Sequence, residues 1–144
     1  MTTTPYMTGS HGPDSGNRPA RHGQHGTGQS ANSRQRLVAG WIVDLVEAHF
    51  GLAPGTLSAK RLKPPALRLP RDLAAYLLVT WHGESARAAG RRLGCHRSTV
   101  TTNVRRVEAG RDDPVIDAHL LALESALERI RGAVGIDTEA GAAA

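Results

Sequence analysis

The sequence has very little cysteine and no long apolar run. Cys95 is the only cysteine, so an intramolecular disulfide is excluded, which fits a reducing compartment. The longest apolar stretch runs from Leu73 to Trp81, is interrupted by Thr80, and is far shorter than the roughly 20 residues that a membrane-spanning helix needs. The first residues also contain no apolar signal-peptide core. We therefore expect a cytoplasmic protein with no membrane contact.

Catalytic and cofactor-binding patterns are missing as well. No GxxxxGK[ST] phosphate loop occurs, which excludes a P-loop ATPase. Cys95 and His96 are adjacent at a predicted turn, where neighbouring side chains do not normally face each other, and no carboxylate is placed to orient the histidine. The pair supplies too few ligands for zinc, and His22 with His25 has no cysteine or carboxylate partner. We predict a protein that is not an enzyme, with no catalytic residues, metal site or cofactor.

Large aliphatic side chains are nearly absent from the N-terminal end. Residues 1–35 are rich in Gly, Ser, Thr, Asn, Gln and Pro, and such a segment cannot bury enough apolar surface to offset its chain entropy. We predict a disordered tail over residues 1–35, one domain over residues 36–132 and a flexible C-terminal tail over residues 133–144. The hydrophobic content of 40% in 144 residues is enough for one modest core.

Negative charge is scarce in the middle of the chain. The formal net charge is +5 and the sequence pI is near 10.3. Residues 58–71 contain five cations and no acid, and residues 84–111 contain seven arginines against two acids. Residues 112–144, by contrast, contain two arginines against seven acids. This distribution favours an acidic partner, such as nucleic acid, at the middle of the chain.

Apolar spacing predicts an all-helical domain. A wide stripe from Leu37 to Phe50 predicts a first helix. A second helix is expected from Pro70, because proline suits a first helical turn. Between them lies a basic loop, in which the paired prolines at positions 64 and 65 are expected to exclude a helix.

The last helix is expected to open at Asp113-Pro114 and to carry an apolar seam. The steps along the seam alternate between four and three residues. The seam residues are Ile116, Leu120, Leu123, Leu127 and Ile130. Such a seam covers a bundle core or, alternatively, pairs with a second molecule, so self-association through this helix is left open.

The segment from Gly90 to Glu108 predicts two short helices around a tight turn. Gly94 is a natural helix stop, because glycine accepts the left-handed conformation without strain. The second helix has one apolar face, formed by Val100, Val104 and Val107. The polar residues that share its opposite face are Ser98, Thr101, Thr102 and Arg105. This is the layout of a DNA-reading helix-turn-helix. The alternative is that the charged surface is the solvated face of an ordinary bundle helix.

The same segment resembles the C-terminal DNA-binding domain, domain IV, of the bacterial chromosomal replication initiator DnaA, and small stand-alone proteins similar to that domain. The resemblance rests on Gly90, Leu93 and Gly94 followed by RSTV at residues 97–100, and it continues to Pro114. Upstream, residues 42–52 and 70–77 are similar to the first helix of the domain and to the arginine-led helix that braces the turn. The resemblance covers residues 36–130 and implies an all-α, Trp-repressor-like bundle that contains a helix-turn-helix.

The resemblance also implies roles for individual residues. In the family, base contacts come largely from the tripeptide aligned with residues 97–99, and a basic loop enters the minor groove. Lys63 is the closest match to the groove-entering cation, and Arg71 would clamp a phosphate. The residues expected to contact DNA are Lys60, Arg61, Lys63, Arg71, His96, Arg97, Ser98, Thr99, Thr101, Thr102 and Arg105. The alternative for the loop is an exposed basic turn that only aids solubility.

The chain departs from the family pattern at three positions. Cys95 and His96 stand where the family has arginine and aspartate, and Asp72 stands where glutamine is usual. Cys95 and His96 lie directly before the reading tripeptide, so the resemblance implies an altered sequence preference.

Taken together, the pattern predicts a nucleoid-associated protein that binds double-stranded DNA sequence-specifically and has no ATPase activity. It would regulate transcription or access to initiator boxes at a replication origin. The alternative is a protein-protein interaction module of initiator ancestry that has lost specific DNA binding and uses the leucine seam. The arginines at positions 97, 105 and 106 argue against such decay.

Overall fold

Five α-helices make up the described part of the chain. The structure is a computed structural model, and it describes residue 9, residues 26–60 and residues 64–135. Its helices are α1 (Gly26–His49), α2 (Arg68–Tyr76), α3 (Ala86–Leu93), α4 (Arg97–Ala109) and α5 (Pro114–Val134). A 3-10 turn at Pro65–Leu67 leads into α2, and a π-helical turn at Leu77–Trp81 continues it. No strand occurs among these residues, so the predicted all-α class is confirmed.

Helix α2 is the centre of the bundle. Every residue from Asp72 to Leu78 is buried, and α2 contacts α1, α3 and α4. Helix α4 packs against both α2 and α3, which sets its orientation from two sides. The largest fully buried apolar side chains are Ile42, Leu57, Leu73, Leu77, Leu78, Leu93, Leu120 and Leu123. Among the described residues no helix combines the length and the apolar character needed to cross a membrane.

The seam of α5 lies inside the chain's own bundle. Leu120, Leu123 and Leu127 are buried in the core, and Ile116 packs against it at the start of the helix. Helix α5 begins at Pro114 with Asp113 as its N-cap, as predicted; the Val115 N–H donates to Asp113 Oδ1 at 2.8 Å. The seam therefore packs against α1 and the core over most of its length, with Ile130 half-buried, and self-association through α5 stays a prediction.

Helix α1 begins ten residues before the predicted domain boundary at residue 36. Residues 29–37 are helical and exposed, so α1 extends into the segment that the sequence assigns to the tail. These residues lack the aliphatic side chains that a core needs. They extend α1, whose later half is packed in the core, and extension of an existing helix gains one backbone hydrogen bond for each added residue. The rest of the predicted tail, apart from Gly9, lies outside the described residues, as do residues 136–144.

The paired prolines do not exclude a helix. Pro64 is extended, with φ −61° and ψ 155°, but Pro65 begins the 3-10 turn and α2 starts at Arg68, two residues before the predicted start at Pro70. The N–H groups of the first helical turn have no intrahelical acceptor, so proline costs no hydrogen bond there.

A turn at residues 94–96 joins α3 to α4. Ser85 caps α3 by accepting from the Ala88 N–H at 3.1 Å, and Gly94 ends it in the left-handed conformation, with φ 62°, as predicted. A Cβ atom at Gly94 would lie 2.8 Å from the Ser58 carbonyl oxygen, so the turn also packs closely on the loop after α1. Both the positive φ and this contact require glycine at the position.

Candidate nucleic-acid interface

The exposed face of α4 is the one that the sequence predicts. Ser98, Thr101, Thr102 and Arg105 are all exposed, whereas Val100 and Val107 are buried. Val104 is half-buried at the edge of the same apolar face. The burial therefore confirms how α4 is turned.

Two threonine hydroxyls on this face donate to their own helix. Thr101 Oγ1 donates to the Arg97 carbonyl at 3.1 Å, and Thr102 Oγ1 donates to the Ser98 carbonyl at 3.0 Å. The oxygen lone pairs of both hydroxyls remain available to accept hydrogen bonds. Arg97 and Arg105 are exposed and have no ion-pair partner among the described residues. The face thus offers hydroxyl acceptors beside two free guanidinium groups.

His96 is the N-cap of α4. Its Nδ1 atom accepts from the Ser98 N–H at 3.2 Å and lies 2.8 Å from Ser98 Oγ. An accepting Nδ1 places the ring proton on Nε2. The side chain is exposed at the turn, next to half-buried Cys95. His96 thereby holds the side chain of Ser98, one of the predicted base-reading residues.

A buried polar network joins α2 to α4. The carboxylate of Asp72, which is 4% exposed, accepts from Arg106 Nη1 at 2.8 Å through both of its oxygens. Asn103 is 5% exposed; with its amide turned so that the nitrogen faces acceptors, it donates to Asp72 Oδ1 at 3.1 Å and to the Thr99 carbonyl at 3.0 Å. The network therefore connects the brace helix to the backbone of the predicted reading tripeptide.

Asn103 and Arg106 belong to this network although no sequence pattern predicted a role for their side chains there. The sequence contained one indication of this. Asn103 is three residues after Val100 and four before Val107, which places it on the same, buried face of α4. A buried amide needs polar partners, and the nearest candidate on the bracing helix is Asp72.

The loop that leads to the basic segment is held by Glu47. This carboxylate is 2% exposed and accepts from the Gly55 N–H at 2.9 Å and from the Leu57 N–H at 2.7 Å. Leu57 is fully buried, and the next residue, Ser58, packs on Gly94. Lys60, exposed two residues further on, is therefore close to the turn before α4. Arg61 and Lys63 lie outside the described residues.

The other end of the basic loop borders a groove between α2 and α4. The groove is open, has a volume of about 390 Å³, and is lined by Pro64, Pro65, Arg68, Arg71, Asp72, Thr99, Asn103 and Arg106. Arg71 is half-buried in the first turn of α2, as expected, and its Nε atom is buried without a hydrogen-bond partner among the described residues. Thr99 is half-buried on the opposite wall. Unpaired guanidinium groups beside a groove suit an anion such as phosphate.

The predicted site residues that the structure describes fall into three groups. Lys60, His96, Arg97 and Ser98 gather around the turn before α4, whereas Arg71 and Thr99 share the groove on the α2 side. The exposed face of α4 carries the remaining three, Thr101, Thr102 and Arg105.

Comparison of the chain with protein-family models, curated proteins and solved structures gives no match. The resemblance to the DnaA DNA-binding domain therefore stays a prediction, and the functional argument rests on the residues themselves.

Proposed function

We propose that the protein binds duplex DNA sequence-specifically, with α4 in the major groove and the basic loop in the adjacent minor groove. The observation that carries the proposal is the contact of the Ser58 backbone with Gly94, a position where a Cβ atom would come within 2.8 Å. This contact brings the start of the basic loop to the start of α4, which supports the proposal that both elements bind one duplex.

Helix α4 carries the groups that base reading needs. A major groove about 12 Å wide admits an α-helix whose N-terminal residues meet base edges. Arg97 can donate two parallel hydrogen bonds to guanine O6 and N7, and the Thr101 hydroxyl can accept from base amino groups. His96 holds Ser98 through the 2.8 Å contact, which limits the conformations of the serine at the same end of the helix.

Phosphate contacts would come from both sides of α4. Lys60 lies on the turn side and Arg71 on the α2 side, with exposed Arg68 beside it. None of the three has an ion-pair partner among the described residues, so their charges are free to attract the DNA backbone.

Such a protein would lie on the nucleoid and regulate transcription or access to initiator boxes by occupying them. It would need neither a cofactor nor ATP. The rival function, a protein-binding module that uses the leucine seam, has less support, because Leu120, Leu123 and Leu127 are buried in the chain's own core.

Selection of bound duplexes from a random library, followed by competition against scrambled duplexes, tests the proposal. We expect one preferred sequence, and an affinity that falls with salt at a logarithmic slope set by roughly 4 to 6 phosphate contacts. No binding at low salt, or binding that salt leaves unchanged, would refute it. An initiator-box duplex included in the competition reports whether the preference matches that of the initiator.

A further inference from the structure

A second cationic groove is lined by residues of α1, α3 and the segment before α3, and by none of α4. It is open, has a volume of about 600 Å³, and runs between the exposed half of α1 and the outer side of α3. The hydrogen-bond donors that line it are Asn32, Gln35, Arg36, His82, Arg91 and Arg92. Neither the basic loop nor the exposed face of α4 contributes to this groove.

The free charge of this groove is positive. Glu84 is the only acid in the lining, and its Oε1 atom accepts from Arg92 Nε at 2.7 Å. The other carboxylate oxygen, Oε2, is buried and so does not face the opening. Arg36 and Arg91 are exposed and have no hydrogen bond or ion pair with another described residue. Two guanidinium groups thus remain for an external anion, with the amides of α1 beside them.

The groove begins next to the turn that precedes α4. The Cys95 N–H donates to the Gly90 carbonyl at 2.9 Å, and a Cβ atom at Gly90 would lie 2.6 Å from the Cys95 carbonyl oxygen. Arg91 is the next residue after Gly90, so the α3 wall of the groove is close along the chain to the turn that precedes α4. The groove that contains Arg71 lies on the other side of α4.

The exposed half of α1 is rich in poor helix formers and carries positive charge without acids. Residues 29–37 read QSANSRQRL, with two serines and an asparagine, which are poor helix formers. The segment contains two arginines and no acid. An anionic partner along this half of α1 would stabilise it, because the segment makes little use of the core.

We propose that this groove, between Arg36 of α1 and Arg91 of α3, binds the phosphate backbone of the same duplex, on the strand that flanks the turn side of α4. A helix in the major groove has a phosphate strand on each side. The Arg71 groove serves one strand and the Arg36–Arg91 groove serves the other. This inference rests on the proposed DNA binding.

The test compares the full-length chain with the double variant Arg36→Gln with Arg91→Gln, on a duplex that carries the selected site within long flanks. We expect the logarithmic salt slope to fall by about 2, because each lost phosphate contact removes roughly 0.9. The affinity at moderate salt should fall about tenfold, while the ranking of single base-pair changes stays as in the unchanged protein. The variant with lysine at both positions keeps the charges and should restore the slope.

Arg129→Gln is the matched control, because Arg129 is exposed on α5 and lines neither groove. It should leave the salt slope unchanged. A double glutamine variant with an unchanged salt slope would overturn the inference and leave the proposed function intact. An altered ranking of base-pair changes would do the same, because the groove would then take part in base reading. Failure of the unchanged protein to bind any duplex would overturn both. Equal melting temperatures verify that the variants fold.

Discussion

Arg106 on α4 holds Asp72 on α2 through a single guanidinium nitrogen, Nη1, which lies 2.8 Å from both carboxylate oxygens. The carboxylate is almost fully buried, and the side chain of Arg106 is 38% exposed. Helix α4 is therefore fixed about its axis by a polar contact in addition to its valines. A charged pair thus joins α2 to α4 at this site.

Loss of Asp72 should destabilise the fold. In Asp72→Ala the amide of Asn103 loses an acceptor and Arg106 loses its counter-charge, and we expect the free energy of unfolding to fall by about 2 kcal/mol. Urea unfolding followed by circular dichroism measures the change. Asp113→Ala, which removes only an exposed helix cap, should cost about 1 kcal/mol and is the control. A loss for Asp72→Ala no larger than that for the control would contradict the buried network.

Substitution of Gly94 should be far more harmful than substitution of a glycine in open space. Gly94→Ala puts a side chain at φ 62° and a Cβ atom 2.8 Å from the Ser58 carbonyl oxygen, and we expect a loss of at least about 2 kcal/mol in unfolding free energy. Gly40 lies within α1 with no atom near its Cβ position, so Gly40→Ala should stabilise the protein by roughly 0.5 to 1 kcal/mol. Changes of the same sign in the unfolding free energy of the two variants would contradict the close packing of the turn on the loop.

Arg97 and Arg71 should affect DNA binding in different ways. Arg97→Ala is expected to lower discrimination at one base pair by about 1 to 3 kcal/mol, because a guanidinium group reads a base edge in the major groove. Arg71→Ala should weaken binding to all sequences by a similar factor and reduce the salt slope by about 1. Competition with duplexes that carry single base-pair changes measures both. The same specificity profile in the two variants would show that the assigned roles are wrong.

The turn residues should control which box is preferred. Cys95→Arg with His96→Asp restores the residues usual in the family, and aspartate keeps an acceptor for the Ser98 N–H at the cap. We expect the double variant to bind the usual initiator box more tightly, by about tenfold if one charged contact is gained. The comparison is made by titration of both proteins with that box. Equal affinities would place these two positions off the reading surface.

Stability should fall in mild acid through the contact of α1 with α5. His49 Nε2 lies 2.8 Å from His119 Nδ1, and the pKa of His49 is lowered from its ordinary value of 6.5, first by desolvation and then by the charge of His119. The unfolded chain therefore takes up a proton at His49 at a pH where the folded chain does not. The stability from this site is present above pH 6.5 and is lost as the pH falls through the lowered pKa.

Thermal unfolding between pH 7.5 and pH 5 measures this effect. The fall in Tm should be smaller in His49→Gln than in the unchanged protein, because glutamine does not titrate. His96→Gln is a control on a histidine that is exposed and far along the chain from α1. An equal fall in Tm in the unchanged protein and in His49→Gln would contradict the assignment.

Several features follow from local sequence and are confirmed by the structure. Gly94 ends α3, Asp113 and Pro114 open α5, and the valine spacing turns the polar face of α4 outward. Each depends on contacts within one or two helical turns, where glycine, proline and apolar spacing act directly on the backbone. The sequence alone therefore determined the helical class and the chemistry that α4 presents.

Other features depend on partners that are distant in the sequence. Asp72 and Arg106 are 34 residues apart, and no local pattern states that a buried acid on α2 will meet an arginine on α4. Glu47 likewise accepts hydrogen bonds from the N–H groups of residues 55 and 57. These donors lie in a loop whose sequence has no periodic pattern that would indicate the contact. The two grooves beside α3 and α4 arise only when four helices pack. Tertiary structure decided how the loop at Ser58 meets the turn before α4, because burial of unpaired polar groups is so costly that they adopt the arrangement that satisfies them.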